Sequence, residues 1–271
     1  MAVRSHARGS VSDRVRTLSN SPVVLRLGAF AVFAVIWEAY ATASDSLLLP
    51  TFTETMSALV YGLMDPVTWQ AFAASNVAMV IGFAMALLTG IPLGLLMGRF
   101  RTADRAFNPY LVIVLAVPLA GIIPLLTMTV GLGLAARSIV VWSFAIVMVA
   151  ETCRVGVRSV DRSLIEMARV FGVGELGLWR RVLIPAAQPA IFSGVRIGLA
   201  RAIEGMVIVE LIMVAAGIGG LILRYQAFFN GAALYAVVLL VIAESLILLS
   251  LVDRLSTRLT PWVGSESIVL R

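Results

Sequence analysis

Apolar runs separated by short polar breaks organise this chain. They predict membrane-length helices at about Leu27–Ala43, Asn76–Met97, Tyr110–Val130, Ser138–Ala150, Pro189–Val214 and Ala232–Val252, the fourth extending through Cys153. A helix of roughly 20 residues crosses a hydrocarbon core about 30 Å thick, and most of these runs reach that length. Leu47 to Trp69 contains Leu49-Pro50 and Asp65-Pro66 and reads as an external loop with one short helix. Between the fourth and fifth runs lies a polar, arginine-bearing island, Glu166–Pro185, EMARVFGVGELGLWRRVLIP. A chain this apolar has little need of such a loop unless the loop does something.

Composition sharpens the class. Hydrophobic residues make up 60% of the chain and charged residues 13%, with a mean hydropathy of +0.99. Water-soluble domains carry about a quarter charged residues. The chain is therefore read as an all-α polytopic membrane bundle of about six helices. The net charge of +6 does not indicate nucleic acid, because the arginines sit in the loops, beside anionic lipid headgroups. An N-terminus inside keeps Arg4, Arg8, Arg14, Arg16, Arg26, Arg99, Arg101, Arg105, Arg154, Arg158, Arg162, Arg169, Arg180, Arg181, Arg254, Arg258 and Arg271 inside, against Arg137 and Arg224 outside. That bias places both termini in the cytoplasm. The divisions are a tail over 1–26, a membrane domain over 27–252 with a cytoplasmic loop at 154–188, and a tail over 253–271. The Arg-rich start and Ala39-Tyr40-Ala41 imitate a cleavable signal peptide. The run is long for one and Glu38 is misplaced for cleavage, so the first span is kept.

The missing residue types restrict the chemistry. All 21 basic residues are arginine, so no phosphate-binding Gly-x-x-x-x-Gly-Lys-Ser/Thr loop exists and no Schiff base can form. The one histidine, His6, lies in the N-terminal tail, which leaves no histidine triad or zinc site within the spans. Cys153 has no second cysteine to pair with and reads as a small buried hydrophobe. These absences argue against an enzyme. They favour a subunit without catalytic residues, metal or cofactor of its own.

The polar island resembles the cytoplasmic "EAA" loop of ABC-importer permeases: Glu-Ala-Ala, three residues, Gly, nine residues, Ile, one residue, Leu-Pro. Glu166, Met167, Ala168, Gly172, Ile184 and Pro185 occupy that pattern, with Met167 in place of the first Ala. Gly90-Ile91-Pro92-Leu93-Gly94 through Gly98-Arg99, the prolines 118 and 124, Gly194 to Leu199, Glu210-Leu211, Gly217-Ile218-Gly219 and Arg258-Leu259-Thr260-Pro261-Trp262 are similar to the nitrate/sulfonate/taurine-type subfamily. The resemblance implies a type-I importer permease whose loop forms a short helix docking into a partner ATPase. That partner binds ATP and magnesium, an extracytoplasmic binding protein delivers the solute, and a second permease copy completes the pathway in the bacterial inner membrane. Implied substrates are sulfonates, taurine, nitrate or similar anions. The alternatives are a vitamin precursor or an osmolyte, and a secondary transporter would leave the docking loop unexplained.

Local rules predict how these pieces form. The loop helix would start at Asp161 or Ser163, either a good N-cap, with Glu166 in its first turn at the positive end of the helix dipole. Gly172 and Gly174 would end it. Gly90, Gly94 and Gly98 form a small-residue stripe for close helix packing. Pro92, Pro118 and Pro124 either fit the bundle by kinking their helices or open cavities along a path. Arg201, Glu204 and Glu210 lie at membrane depth, where an unpaired charge costs about 2.5–3.5 kcal/mol on insertion scales. Arg201 and Glu204, three residues apart, either neutralise each other on one helix face or line a water-filled path. Relatives usually carry neutral residues at those two positions, whereas Glu210 matches an acidic one.

Overall fold

Pro66 follows Asp65, and this pair starts the longest helix of the chain. Asp65 accepts a hydrogen bond from Val67 N at 3.0 Å, while Pro66, at the first helical position, has no N–H to leave unsatisfied. The computed structural model describes residues 22–44, 49–213 and 217–261. Among these the elements are α1 (Pro22–Ser44), α2 (Phe52–Met64), α3 (Pro66–Arg99), α4 (Arg101–Ala116), α5 (Leu119–Val130), α6 (Leu134–Arg158), α7 (Arg162–Val170) and α8 (Glu175–Leu178). A π-helical turn (Trp179–Leu183) then leads into α9 (Ile184–Met213), followed by α10 (Ile218–Ala227) and α11 (Gly231–Leu259). No strand occurs among the described residues.

The all-α membrane architecture stands, and several boundaries move. Among the described residues four unbroken helices, α1, α3, α6 and α11, are long and apolar enough to cross a membrane, and the spans number up to six when the bent pairs α4 with α5 and α9 with α10 are each counted as one. The expected external loop shrinks: Asp65 alone separates α2 from α3, and Trp69 belongs to α3. Thr51 and Glu54 close a reciprocal capping box at the start of α2. The third span, read as one helix, is instead two helices bent by 99°. Its cause is local. Proline disfavours helical geometry in the residue before it, and Val117 is extended at φ −78°, ψ 131°. The fifth span starts at Ile184 rather than Pro189, because α8 and the π turn run straight into it. At its far end Val214 lies outside the described residues.

α6 forms the centre of the bundle, between α3 and α9. Ala78, Gly82, Ala86, Gly90 and Gly94 recur every four residues and are all buried, so the stripe read at Gly90, Gly94 and Gly98 is the C-terminal half of a longer one. A Cβ on Gly94 would sit 2.2 Å from Ala150 O, and one on Gly98 would sit 2.6 Å from Val157 Cβ. Across α6, a Cβ on Gly198 would meet Val149 Cγ2 at 2.5 Å. Lipid tails supply no hydrophobic drive between helices, so association rests on van der Waals contact, which small residues maximise. Cys153, facing Gly94, is fully buried.

α1 stands apart from this core. Its ties include Trp37 Nε1 donating to Pro50 O at 2.9 Å, the Glu38 carboxylate accepting from Thr53 Oγ1 at 2.7 Å and Thr53 N at 3.0 Å, and ring contacts of Trp37 with Phe52 and Tyr235.

Candidate functional site

The polar island folds into α7, α8 and the π turn. Asp161 caps α7 by accepting from Ser163 N at 2.9 Å. That bond favours the ionised carboxyl and holds it below the usual aspartate range. With Asp161 as the cap, Glu166 falls in the second turn and no acid occupies the first, which corrects the expected placement. At the other end Val173 N donates to Ala168 O and Gly172 N to Arg169 O, with Gly172 at φ +72°. This is a Schellman closure, which requires a left-handed residue. Gly174 does not end α7; it starts α8.

α7 turns two apolar surfaces in different directions. Ile165 and Ala168 face inward, against Val157, Leu178, Leu183 and Ala187. Leu164, Met167, Val170 and Phe171 face out, with Val170 86% and Phe171 78% exposed. Beside them a cavity of about 520 Å³ reaches Val182, Pro185 and Ala186. Glu166 is exposed, with no ion pair among the described residues. Ile184 is 40% exposed at the start of α9. Glu166, Met167, Gly172 and Pro185 therefore lie on one protrusion, with Ala168 inward as its footing.

Ion pairs brace the protrusion. Arg99, at the end of α3, donates from Nε and Nη2 to the two oxygens of Glu175 at 2.8 and 3.1 Å, and the Phe100 and Trp179 rings lie 6.4 Å apart. Asp104 of α4 forms ion pairs with Arg154 Nε at 2.7 Å and Arg158 Nη2 at 2.6 Å, both from α6. In the sequence these arginines carry only a topology signal. Alternating acids and arginines at the ends of adjacent spans were the available hint.

The ionisable residues of α9 separate. Arg201 Nη1 lies 2.7 Å from Glu204 Oε2, and both side chains are about half exposed. Arg201 also borders a cavity of about 310 Å³ beside the α4–α5 break, together with Pro118, Ser143 and Phe144. Glu210 is elsewhere and fully buried. Its carboxylate accepts from Ser75 Oγ at 2.7 Å and Gly219 N at 3.0 Å, with Arg137 Nη1 at 3.3 Å. Ile218 N donates to Ser75 Oγ at 2.9 Å. Four helices, α3, α6, α9 and α10, meet at this one carboxylate. Spacing could not reveal it, since Ser75 and Arg137 are distant in sequence. Gly217 sits at φ +107°, and a Cβ there would lie 2.4 Å from Glu210 Oε1.

Comparison with known proteins adds family context. Residues 90–263 match the model of a family described as "Binding-protein-dependent transport system inner membrane component". Over 250 residues the chain is 30% identical to the taurine transport system permease protein TauC of Escherichia coli (strain K12), covering 89% of this chain and 90% of that protein. It is 31% identical over 267 residues to the riboflavin transport system permease protein RibX of Chloroflexus aurantiacus, covering 94% and 97%. A chain of the MetNI methionine ABC transporter in an inward-facing conformation superimposes with a TM-score of 0.61 at 20% identity, covering 73% of this chain and 96% of that one, and shows the shared fold.

Proposed function

The chain belongs to the binding-protein-dependent transport system inner membrane component family, in its nitrate/sulfonate/taurine-type branch of ABC-importer permeases, and from that premise we propose how it couples and what it carries. α7 takes the stroke of a partner ATPase, and the α4–α5 break with α6 and α9 borders the solute path. The observation that carries this reading is the outward apolar face of α7 beside Glu166, on a braced protrusion at one end of the bundle. Contiguous exposed apolar surface outside the membrane marks a protein interface. Displacement of α7 reaches α9 directly, because α8 and the π turn continue into that helix, and it reaches α3 through Arg99–Glu175.

In this reading two ATPases close on ATP and magnesium beneath a pair of permease copies. The α7 end and both termini face the cytoplasm, and a binding protein delivers solute on the other side. Alternating access then needs no catalytic group in the chain itself. The solute is a small sulfonate or related anion, a reading supported by the taurine permease relative. The riboflavin permease relative favours a second reading, a vitamin or vitamin precursor. Uptake of labelled taurine against labelled riboflavin by cells carrying the full system separates the two.

Coupling has its own test. Glu166→Lys and Gly172→Arg should insert normally, lose transport and retain less ATPase on co-purification. Full transport by either variant removes α7 from the coupling role.

A further inference from the structure

At the α7 end of the bundle a second cavity, of about 540 Å³, opens where α3, α4, α6 and α7 converge. Arg99, Arg101, Arg105, Arg158 and Arg162 line it, with Asp104 as the one acid in its wall. Asp104 is within ion-pair distance of Arg154 and Arg158, and Arg99 is held by Glu175. The guanidinium groups of Arg101, Arg105 and Arg162 have no hydrogen-bond or ionic partner among the described residues. Arg101 and Arg105 are four residues apart on α4, so like charges lie side by side, an arrangement that is unfavourable until an anion comes between them. The floor, Met97 and Leu183, is fully buried and apolar.

We propose that this basin binds a phosphate-type oxyanion, gripped by Arg101, Arg105 and Arg162. Guanidinium groups recognise such groups through paired, charge-assisted N–H donors. The location suits the membrane boundary. The basin lies at the last turn of a spanning helix, and Phe107 and Tyr110 stand exposed one to two turns further along α4, where aromatic side chains sit at headgroup level. Two sources share this chemistry, the headgroup of an anionic phospholipid and a free oxyanion such as inorganic phosphate. The site is separate from the coupling face and from the cavity beside Arg201, and it does not depend on which solute is carried.

The test uses the full chain in nanodiscs. Phosphatidylglycerol binding is measured by native mass spectrometry in a phosphatidylcholine background, and inorganic phosphate binding by calorimetry in phosphatidylcholine alone. The variant is Arg101→Gln with Arg105→Gln, whose side chains hold no hydrogen bond or ion pair among the described residues. The control is Arg254→Gln with Arg258→Gln, at the inner end of α11. The expected result is a loss of affinity of about tenfold or more in the first variant, confined to one anion, with the control unchanged. Loss for phosphatidylglycerol identifies a lipid site, and loss for phosphate identifies a free-anion site. Equal binding by wild type and the first variant overturns the proposal, as does an equal loss in the control. So does release of the anion when the ATPase assembles, because the arginines would then serve the partner's surface. A transport defect that leaves anion binding intact bears on the coupling reading and not on this one.

Discussion

Glu210 concentrates more of the fold in one side chain than any other residue of α9. A buried carboxylate is tolerated because Ser75, Gly219 and Arg137 all reach it. Removing it strands Arg137, whose side chain is only 12% exposed. Breaking a buried pair from one side costs about 3–5 kcal/mol, so Glu210→Ala should lower the thermal unfolding midpoint strongly in detergent. Glu210→Gln, which keeps an acceptor, should cost less. An unchanged midpoint in the alanine variant would remove the network from the stabilising contacts. Gly217→Ala should also destabilise, through both its positive φ and the clash with Glu210. Arg201 and Glu204 are a different case, paired but half exposed beside a cavity. Each single neutral substitution should impair expression by leaving one charge alone at membrane depth. Arg201→Val with Glu204→Ser should restore it. A double variant that is stable but transport-dead would make the pair a solute contact, read by uptake assays.

Elements end where their caps permit, and α7 shows the sign of that control. Its Asp161 carboxyl is held low by Ser163 N in the folded loop and returns to the ordinary range when the loop unfolds. The cap is therefore complete above the ordinary aspartate range and is lost only as pH falls through the lowered value. Hydrogen exchange at Ser163, corrected for intrinsic rate, should stay protected at mildly acidic pH and open only below it; loss of protection near neutrality would contradict this. Gly172→Ala, placing a Cβ at φ +72°, should cost about 1–2 kcal/mol, seen as faster proteolytic nicking of the loop. The helices at the bundle centre are less forgiving. Gly94→Leu would drive a side chain into Ala150 O and Cys153, and should prevent accumulation of folded protein, whereas a lipid-facing exchange such as Leu88→Ile should be silent by the same expression assay.

At the scale of the whole molecule, orientation is the proposition that binds the parts together. Cysteines placed at Asp65 and Arg224 should react with an impermeant thiol reagent added outside, and those at Thr102 and Leu176 should not. The native Cys153 is fully buried, so the background should be low even before its replacement by Ala. Labelling at Leu176 from outside would invert the proposed coupling. The helical class, the positions of the spans and the protruding loop were legible from sequence, because hydropathy over some 20 residues and the spacing from Glu166 to Pro185 are local properties of the chain. Small residues at four-residue spacing likewise announced a packed face, though not that α6 would be the helix on it. Three features were decided only by tertiary structure. The sharp bend at Val117–Pro118 depends on neighbours that accept a broken span, where a proline alone is equally compatible with a kink. The brace of Arg99 on Glu175 and the meeting of Ser75, Arg137 and Gly219 on Glu210 join residues far apart in the chain, and a linear pattern carries no record of distances across the fold. Charge counts predict which side of the membrane the arginines favour; the convergence of α3, α4, α6 and α7 gathered five of them around one cavity.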